Sequence, residues 1–179
     1  MESIIREARI EDAERLAYIH SHVWEVAYAD ILPSNAIEAK SKTRLNLWNR
    51  ILQEKGTARK IVFQEDGVII GFMVMDTSRD QDLKDKVLEI TSLYFIPEYW
   101  GKGYAKHLVD FAIHHAKKNR YYALSLWVLE KNLRARKFYE KCDFFFDGTK
   151  KVDTIGVEVT ELRYWNTLMG REPKWWRWI

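Results

Sequence analysis

The sequence predicts an α/β fold in which helices flank a mixed sheet. Three observations carry that reading. Apolar residues recur at three- and four-residue spacing in four segments, short hydrophobic runs are bounded by Asp-Gly and proline signals, and one strand–helix–strand passage calls for a parallel, right-handed crossover. Ile4 to Ala8 reads as a short strand. Ala13, Leu16, Ala17, His20, Trp24, Ala27 and Tyr28 then share one helix face, with Asp12 at its start. Leu32-Pro33-Ser34 interrupts the pattern, and Ser34 is placed to cap a second helix through Ile37, Leu45, Leu47, Trp48 and Leu52, ending at Gly56. Lys60–Gln64 and Val68–Asp76, joined by Asp66-Gly67, form a hairpin, because an Asp-Gly pair accepts the left-handed backbone of a tight turn. The polar stretch from Thr77 to Asp85 is a loop, and Val87–Ile96 is a strand closed by Pro97. A helix over Gly103–Asn119, a strand over Tyr122–Val128 and a helix over Asn132–Lys141 follow. Phe144–Val152 and Gly156–Trp165 close the chain as an antiparallel pair, with Asp147-Gly148 read as a turn.

Composition narrows the function classes. With 179 residues, 47% hydrophobic and 31% charged, the chain supports one compact domain and lacks the signature of disorder. A net charge of +3 calls for no nucleic-acid partner and leaves room for a local basic patch facing a small anion. The longest apolar run, Val68–Met75, is far shorter than the roughly 20 residues of a membrane span. The charged residues from Glu2 to Arg15 leave no apolar leader stretch, so a cytoplasmic location is expected. The lone Cys142 excludes an internal disulfide framework and a thiolate zinc cage, and reads as a small packed hydrophobe. His20 with His22, and His114 with His115, have the wrong spacing on a helix for metal ligands, so no metal is implied.

The chemistry concentrates in Pro97-Glu98-Tyr99-Trp100-Gly101-Lys102-Gly103-Tyr104-Ala105-Lys106, between a strand and an amphipathic helix. Glycines at such a junction let several N–H groups and the helix N-terminus converge on an anion, usually phosphate, and Lys102 and Lys106 add positive charge. A tight turn with incidental glycines is the competing reading. A Walker loop is excluded, because no Gly-Lys-Ser/Thr follows at the required spacing. A dinucleotide fingerprint fails too: its third glycine would fall at Lys106, and Tyr121 and Tyr122 stand where its acidic ribose partner belongs.

Trp100-Gly101-Lys102-Gly103-Tyr104-Ala105 resembles the Gln/Arg-x-x-Gly-x-Gly/Ala signature of the GNAT superfamily of N-acetyltransferases, with Trp100 in place of Gln or Arg. Leu93-Tyr94-Phe95-Ile96-Pro97-Glu98 resembles the strand and proline that lead into that loop. Further on, Asn132, Ala135 and Phe138-Tyr139-Glu140-Lys141-Cys142-Asp143-Phe144 are similar to a second element of the family, with Asp143 where its pattern has glycine. Trp24, Tyr28, Ile31-Leu32-Pro33 and Glu161-Leu162-Arg163-Tyr164 resemble a bacterial-type subgroup acting on small molecules. The resemblance implies a GNAT-like, mostly antiparallel sheet whose central parallel strands, Leu88–Ile96 and Tyr122–Val128, splay apart, all within one domain over 1–168.

The resemblance also implies acetyl-CoA as cosubstrate. Its pyrophosphate would sit on the amides of Gly101, Lys102, Gly103, Tyr104 and Ala105, and its pantetheine between the splayed strands beside Leu93, Tyr94 and Phe95. Asn132 is placed to bridge a pantetheine amide or to cap its helix, and Lys137, with Lys131 and Arg134, to face phosphates or simply solvent. Transfer to a small-molecule amine such as a polyamine, amino sugar or amino-acid derivative needs a base for the ammonium, with pKa near ~10.4, and an acid for the departing thiolate. Glu89 is the candidate base, provided that its side chain faces the cleft. Tyr139, which the resemblance sets beside the thioester sulfur, is the candidate acid. Trp24 and Tyr28 are either core aromatics or acceptor contacts. An idle acyl-CoA-binding module and a peptide or protein N-terminal acetyltransferase remain open as alternatives. The tail over 169–179, with Trp175, Trp176 and Trp178, is expected to pack on its own domain or on a second copy of the chain as a homodimer.

Overall fold

The computed structural model describes residues 2–83 and 86–168. The tryptophan-rich tail lies outside the described residues. The chain runs β1 (Ser3–Glu7), α1 (Ala13–Ala27), α2 (Ser34–Gln53), β2 (Arg59–Glu65), β3 (Val68–Thr77), β4 (Val87–Phe95), α3 (Tyr104–Lys118), β5 (Ala123–Leu129), α4 (Leu133–Lys141), β6 (Phe145–Thr154) and β7 (Glu158–Thr167). The strands form one seven-stranded sheet in the order β1-β2-β3-β4-β5-β7-β6. All neighbours are antiparallel except β4 and β5, as the helix between those two strands requires. Among the described residues, no helix is long and apolar enough to cross a membrane.

Successive strand residues point to opposite faces, and the sheet uses both. Val62 pairs with Phe72, and Phe63 with Gly71. Phe72 meets His20 of α1 and Trp48 of α2 on one face, while Phe63 meets Tyr104 and His107 of α3 on the other. One expected cap is corrected, and Asp12 stands at the start of α1 as expected. Pro33, in extended conformation, takes the N-cap of α2 and Ser34 is its first helical residue, since proline's fixed φ suits that entry. Asp12 turns away from the helix to accept two bonds from Arg6, at 2.7 and 3.0 Å, and one from the Arg9 N–H at 2.7 Å. The end of α2 also falls at Gln53, short of Gly56.

The parallel ladder between β4 and β5 is short. It comprises Val87–Ala123, Leu88–Leu124 and Glu89–Ser125, and then the strands part. On its other edge β4 continues to pair with β3, but Val74 faces Ser92 while Met75 faces Ile90. Thr91 is therefore an extra residue, a bulge that bends β4 just where its contact with β5 ends. The expected splay is present, and its cause is local.

A loop over 78–83 closes over the paired end of these strands. Arg79 binds the buried Glu89 carboxylate through its backbone N–H, Nε and Nη2, the last at 2.6 Å. Arg163 of β7, with its side chain 5% exposed, is ringed by Asp80, Asp82 and Asp147, and the Asp80 carboxylate also accepts the Trp127 indole N–H. Burial opposes the Arg163 charge, but Asp82 and Asp147 outweigh it and push its pKa up. The hydrogen bond from Arg163 holds the Asp82 carboxyl below its usual range. A depressed folded-state pKa adds stability that is complete above the unfolded value of about 3.9 and is lost as pH falls through the folded one. Melting temperature should therefore fall between about pH 4 and pH 2, and the fall should be shallower in Asp82→Asn; thermal melts across this range check it.

Candidate active site

The parting of β4 and β5 opens a cavity of about 650 Å3. Its floor is the stretch of β4 from Ile90 to Phe95, paired with β3 but parted from β5, and, opposite, Trp127–Leu129 of β5. The loop before α3 and the first turns of α3 and α4 close one end, and α1 with Glu161 of β7 closes the other.

At the first end Gly101 and Gly103 have φ of +74° and +89°, a conformation that costs L side chains and suits glycine. A Cβ added at either would meet nothing within 4 Å, so the space beside the loop is open. Among the described residues, none of the amides from Gly101 to Ala105 donates to a backbone carbonyl, which leaves a row of unpaired donors at the positive end of α3. Lys106, Arg134, Lys137 and Lys141 also line this end. The set fits a pyrophosphate: unpaired N–H donors, an open face and cations around it.

The other end is aromatic. The Trp24 indole N–H donates to the Tyr94 hydroxyl at 3.2 Å, and the Tyr28 and Tyr94 hydroxyls stand 3.5 Å apart. Burial pushes the Tyr28 phenol well above its usual pKa, with Tyr94 adding to the shift. Tyr139 of α4 borders the same space, and burial, then Tyr94 and Cys142, push its phenol up with no contribution from a hydrogen bond. Its proton is thus held at neutral pH. Beneath this group His20 is driven to a pKa of about 2, first by burial and then by Arg44, and so stays neutral. Glu161 is the one carboxylate among the described lining residues, and it pairs with Lys151 at 3.0 Å.

A profile of the acetyltransferase (GNAT) family matches residues 23–144. The chain belongs to the GNAT family. An uncharacterized N-acetyltransferase of Archaeoglobus fulgidus is 34% identical over 84 residues, 46% of this chain and 57% of that protein. The match therefore spans little more than half of that relative. The PaiA N-acetyltransferase of Thermoplasma acidophilum, solved in complex with coenzyme A, superposes with a TM-score of 0.78 at 24% identity, over 93% of this chain and 99% of the other. YncA of Salmonella typhimurium, solved with its cofactor acetyl-CoA, superposes at 0.69 with 17% identity, over 97% and 98% of the two chains. At such identities these two likenesses establish the fold.

Of the residues expected to form the GNAT site, the cavity gathers Trp24, Tyr28, Leu93, Tyr94, Phe95, Gly101, Gly103, Tyr104, Ala105, Asn132, Lys137 and Tyr139. Lys102 is not among them: it is exposed, with its ammonium 5.1 Å from the Tyr99 ring centre. Glu89 is not among them either. It lies before the bulge, 1% exposed and clamped by Arg79, and does not line the cavity. Sequence reasoning missed Glu161 as a candidate; the available signal was strand alternation, which puts it on one face of β7 with Arg163 and Trp165. Asn132 caps α4, accepting the Ala135 N–H at 3.1 Å.

Both departures from the GNAT pattern have structural answers. Asp143 adopts φ +60°, the left-handed conformation that glycine supplies elsewhere and that aspartate tolerates. The Trp100 indole N–H binds the Phe95 carbonyl, and its ring carries the Arg134 guanidinium 3.5 Å above its centre. Trp100 thereby aims an arginine from α4 at the end of the cavity where the signature has its own Gln or Arg. Arg134→Ala should weaken CoA binding about tenfold, the scale of one charge-assisted hydrogen bond, and Gly103→Val should weaken it further by straining the loop. Titration calorimetry with CoA checks both.

Proposed function

We propose that this chain transfers the acetyl group of acetyl-CoA to the primary amine of a small molecule by direct attack on the thioester. The acceptor is a polyamine, an amino sugar or an amino-acid derivative. The supporting observation is that one cavity joins the row of unpaired amides at Gly101–Ala105 to the phenol and carboxylate groups at its far end, with Tyr139 among the latter. A phosphate-anchored thioester and an amine thus share one space.

In this reading the loop amides, Arg134 and Lys137 hold the phosphates, and the unpaired edges of β4 and β5 hold the pantetheine arm. Glu161, in the role first given to Glu89, takes a proton from the alkylammonium directly or through an ordered water, leaving the free amine. The amine nitrogen bonds to the carbonyl carbon, the C–S bond breaks, Tyr139 donates its proton to the departing thiolate, and the surplus proton on the new amide nitrogen passes to water, as does the proton held by Glu161. The amide and CoA thiol are the products, and Tyr139 recovers a proton from solvent. The lone buried thiol of Cys142 is consistent with a reducing, cytoplasmic setting.

Thiol release from acetyl-CoA across an amine panel tests this. Tyr139→Phe should lower kcat by about 10²-fold or more with CoA affinity unchanged, the scale of general acid catalysis. Glu161→Gln should lower kcat/KM most at low pH, where the amine is most fully protonated. CoA binding without thiol release for any amine would identify an idle binding module, and release with peptides alone would identify a peptide acetyltransferase; either result overturns the reading.

A further inference from the structure

The walls at the far end of the cavity narrow the acceptor further. Trp24, Tyr28, Leu32 and Ile155 present an apolar surface there. Glu161 is the only carboxylate among the described lining residues, and Lys151 already shares it at 3.0 Å. The Trp24 ring is also engaged: the Arg44 guanidinium lies 4.3 Å from its centre. Arg44 is 7% exposed, and its Nε and Nη2 atoms have no hydrogen-bond partner. Among the described residues it has no carboxylate partner either, so its charge is uncompensated behind that wall.

We propose that the acceptor is a primary monoamine carried on an apolar, aromatic-sized body, rather than a polyamine or an amino sugar; this rests on the transfer reading above. One ammonium can take Glu161, because its partner Lys151 is 42% exposed and can release the carboxylate to solvent. A second ammonium would be buried against the Arg44 and Lys151 charges with no counter-charge, which is strongly unfavourable in a cavity wall of low polarity. A quadrupole already holding a guanidinium on Trp24 offers it little. A sugar body would need a partner for each hydroxyl, and here the Trp24 N–H is already given to Tyr94, while the Tyr28 and Tyr94 hydroxyls, 3.5 Å apart, have fewer open positions than a sugar has hydroxyls. An aromatic body gains from burial against these rings without needing such partners.

Phenethylamine, spermidine and glucosamine serve as probes in two measurements. The first is calorimetric binding to the CoA-loaded protein, which needs no turnover, and the second is thiol release from acetyl-CoA. Phenethylamine should bind at least tenfold more tightly than either competitor and show at least tenfold higher kcat/KM. Glu161→Gln should weaken its binding about tenfold, and Arg44→Met should narrow its advantage over spermidine. Should Arg44→Met fail to fold, the wild-type panel decides alone. Equal or tighter binding of spermidine or glucosamine, or binding of none of the three, overturns the proposal. Selective phenethylamine binding without thiol release would sink the transfer reading and leave the acceptor class standing; thiol release favouring spermidine would do the reverse.

Discussion

The parting of β4 from β5 after three paired residues is the constraint on which the rest of the structure depends. A sheet interior normally pairs every backbone N–H and C=O, and a buried unpaired group is costly. Here the inner edges of both strands lose each other at Glu89 and Ser125. The bulge at Thr91 makes that loss local, because it bends β4 while its ladder with β3 continues. Two helices then begin where the parted strands end, α3 after β4 and α4 after β5, so their N-terminal donors face the opening. A polar slot with donors at one mouth follows from that one bend, in keeping with the tendency of ligands to bind beyond the carboxyl ends of parallel strands.

The cavity is chemically graded along its length. Cations and amide donors surround the glycine loop, while the phenols, apolar walls and the one carboxylate among the described lining residues lie toward the far end. Such a gradient orients an extended ligand with an anionic head, since reversing it would put phosphates against Glu161. Burial that raises the Tyr28 and Tyr139 phenols keeps them neutral, so the negative charge of that end rests on Glu161.

Much of this was legible in the sequence. Every helix and strand was foreseen within a few residues, because apolar spacing and the Asp66-Gly67 and Pro97 signals are local. The glycine loop was legible for the same reason. Glu89 and Glu161 were not, and they fail together: a strand glutamate shows its direction only once the register is known. The extra residue at Thr91 shifts that register on β4, and the Arg79 clamp on Glu89 arises from a loop with no pattern of its own. Ser34 misled because Pro33 supplies the same helix entry through its ring. The stacking of Arg134 on Trp100 joins the first turn of α4 to the loop before α3, which only the folded chain brings together.

The carboxylate ring around Arg163 bears on how this chain can change over generations. Asp80 and Asp82 come from the loop over 78–83, Asp147 from β6 and the guanidinium from β7. Losing one acid leaves two to balance the buried charge, while losing the arginine sets three acids against one another. The loop is therefore not a cassette to be exchanged alone: a replacement without acids at the same places strands the arginine, and a neutral residue at 163 strands the loop. Substitutions here depend on the order in which they arise, and the tolerated order reduces the acids to one before the arginine goes, so that the buried charge keeps a partner at every step.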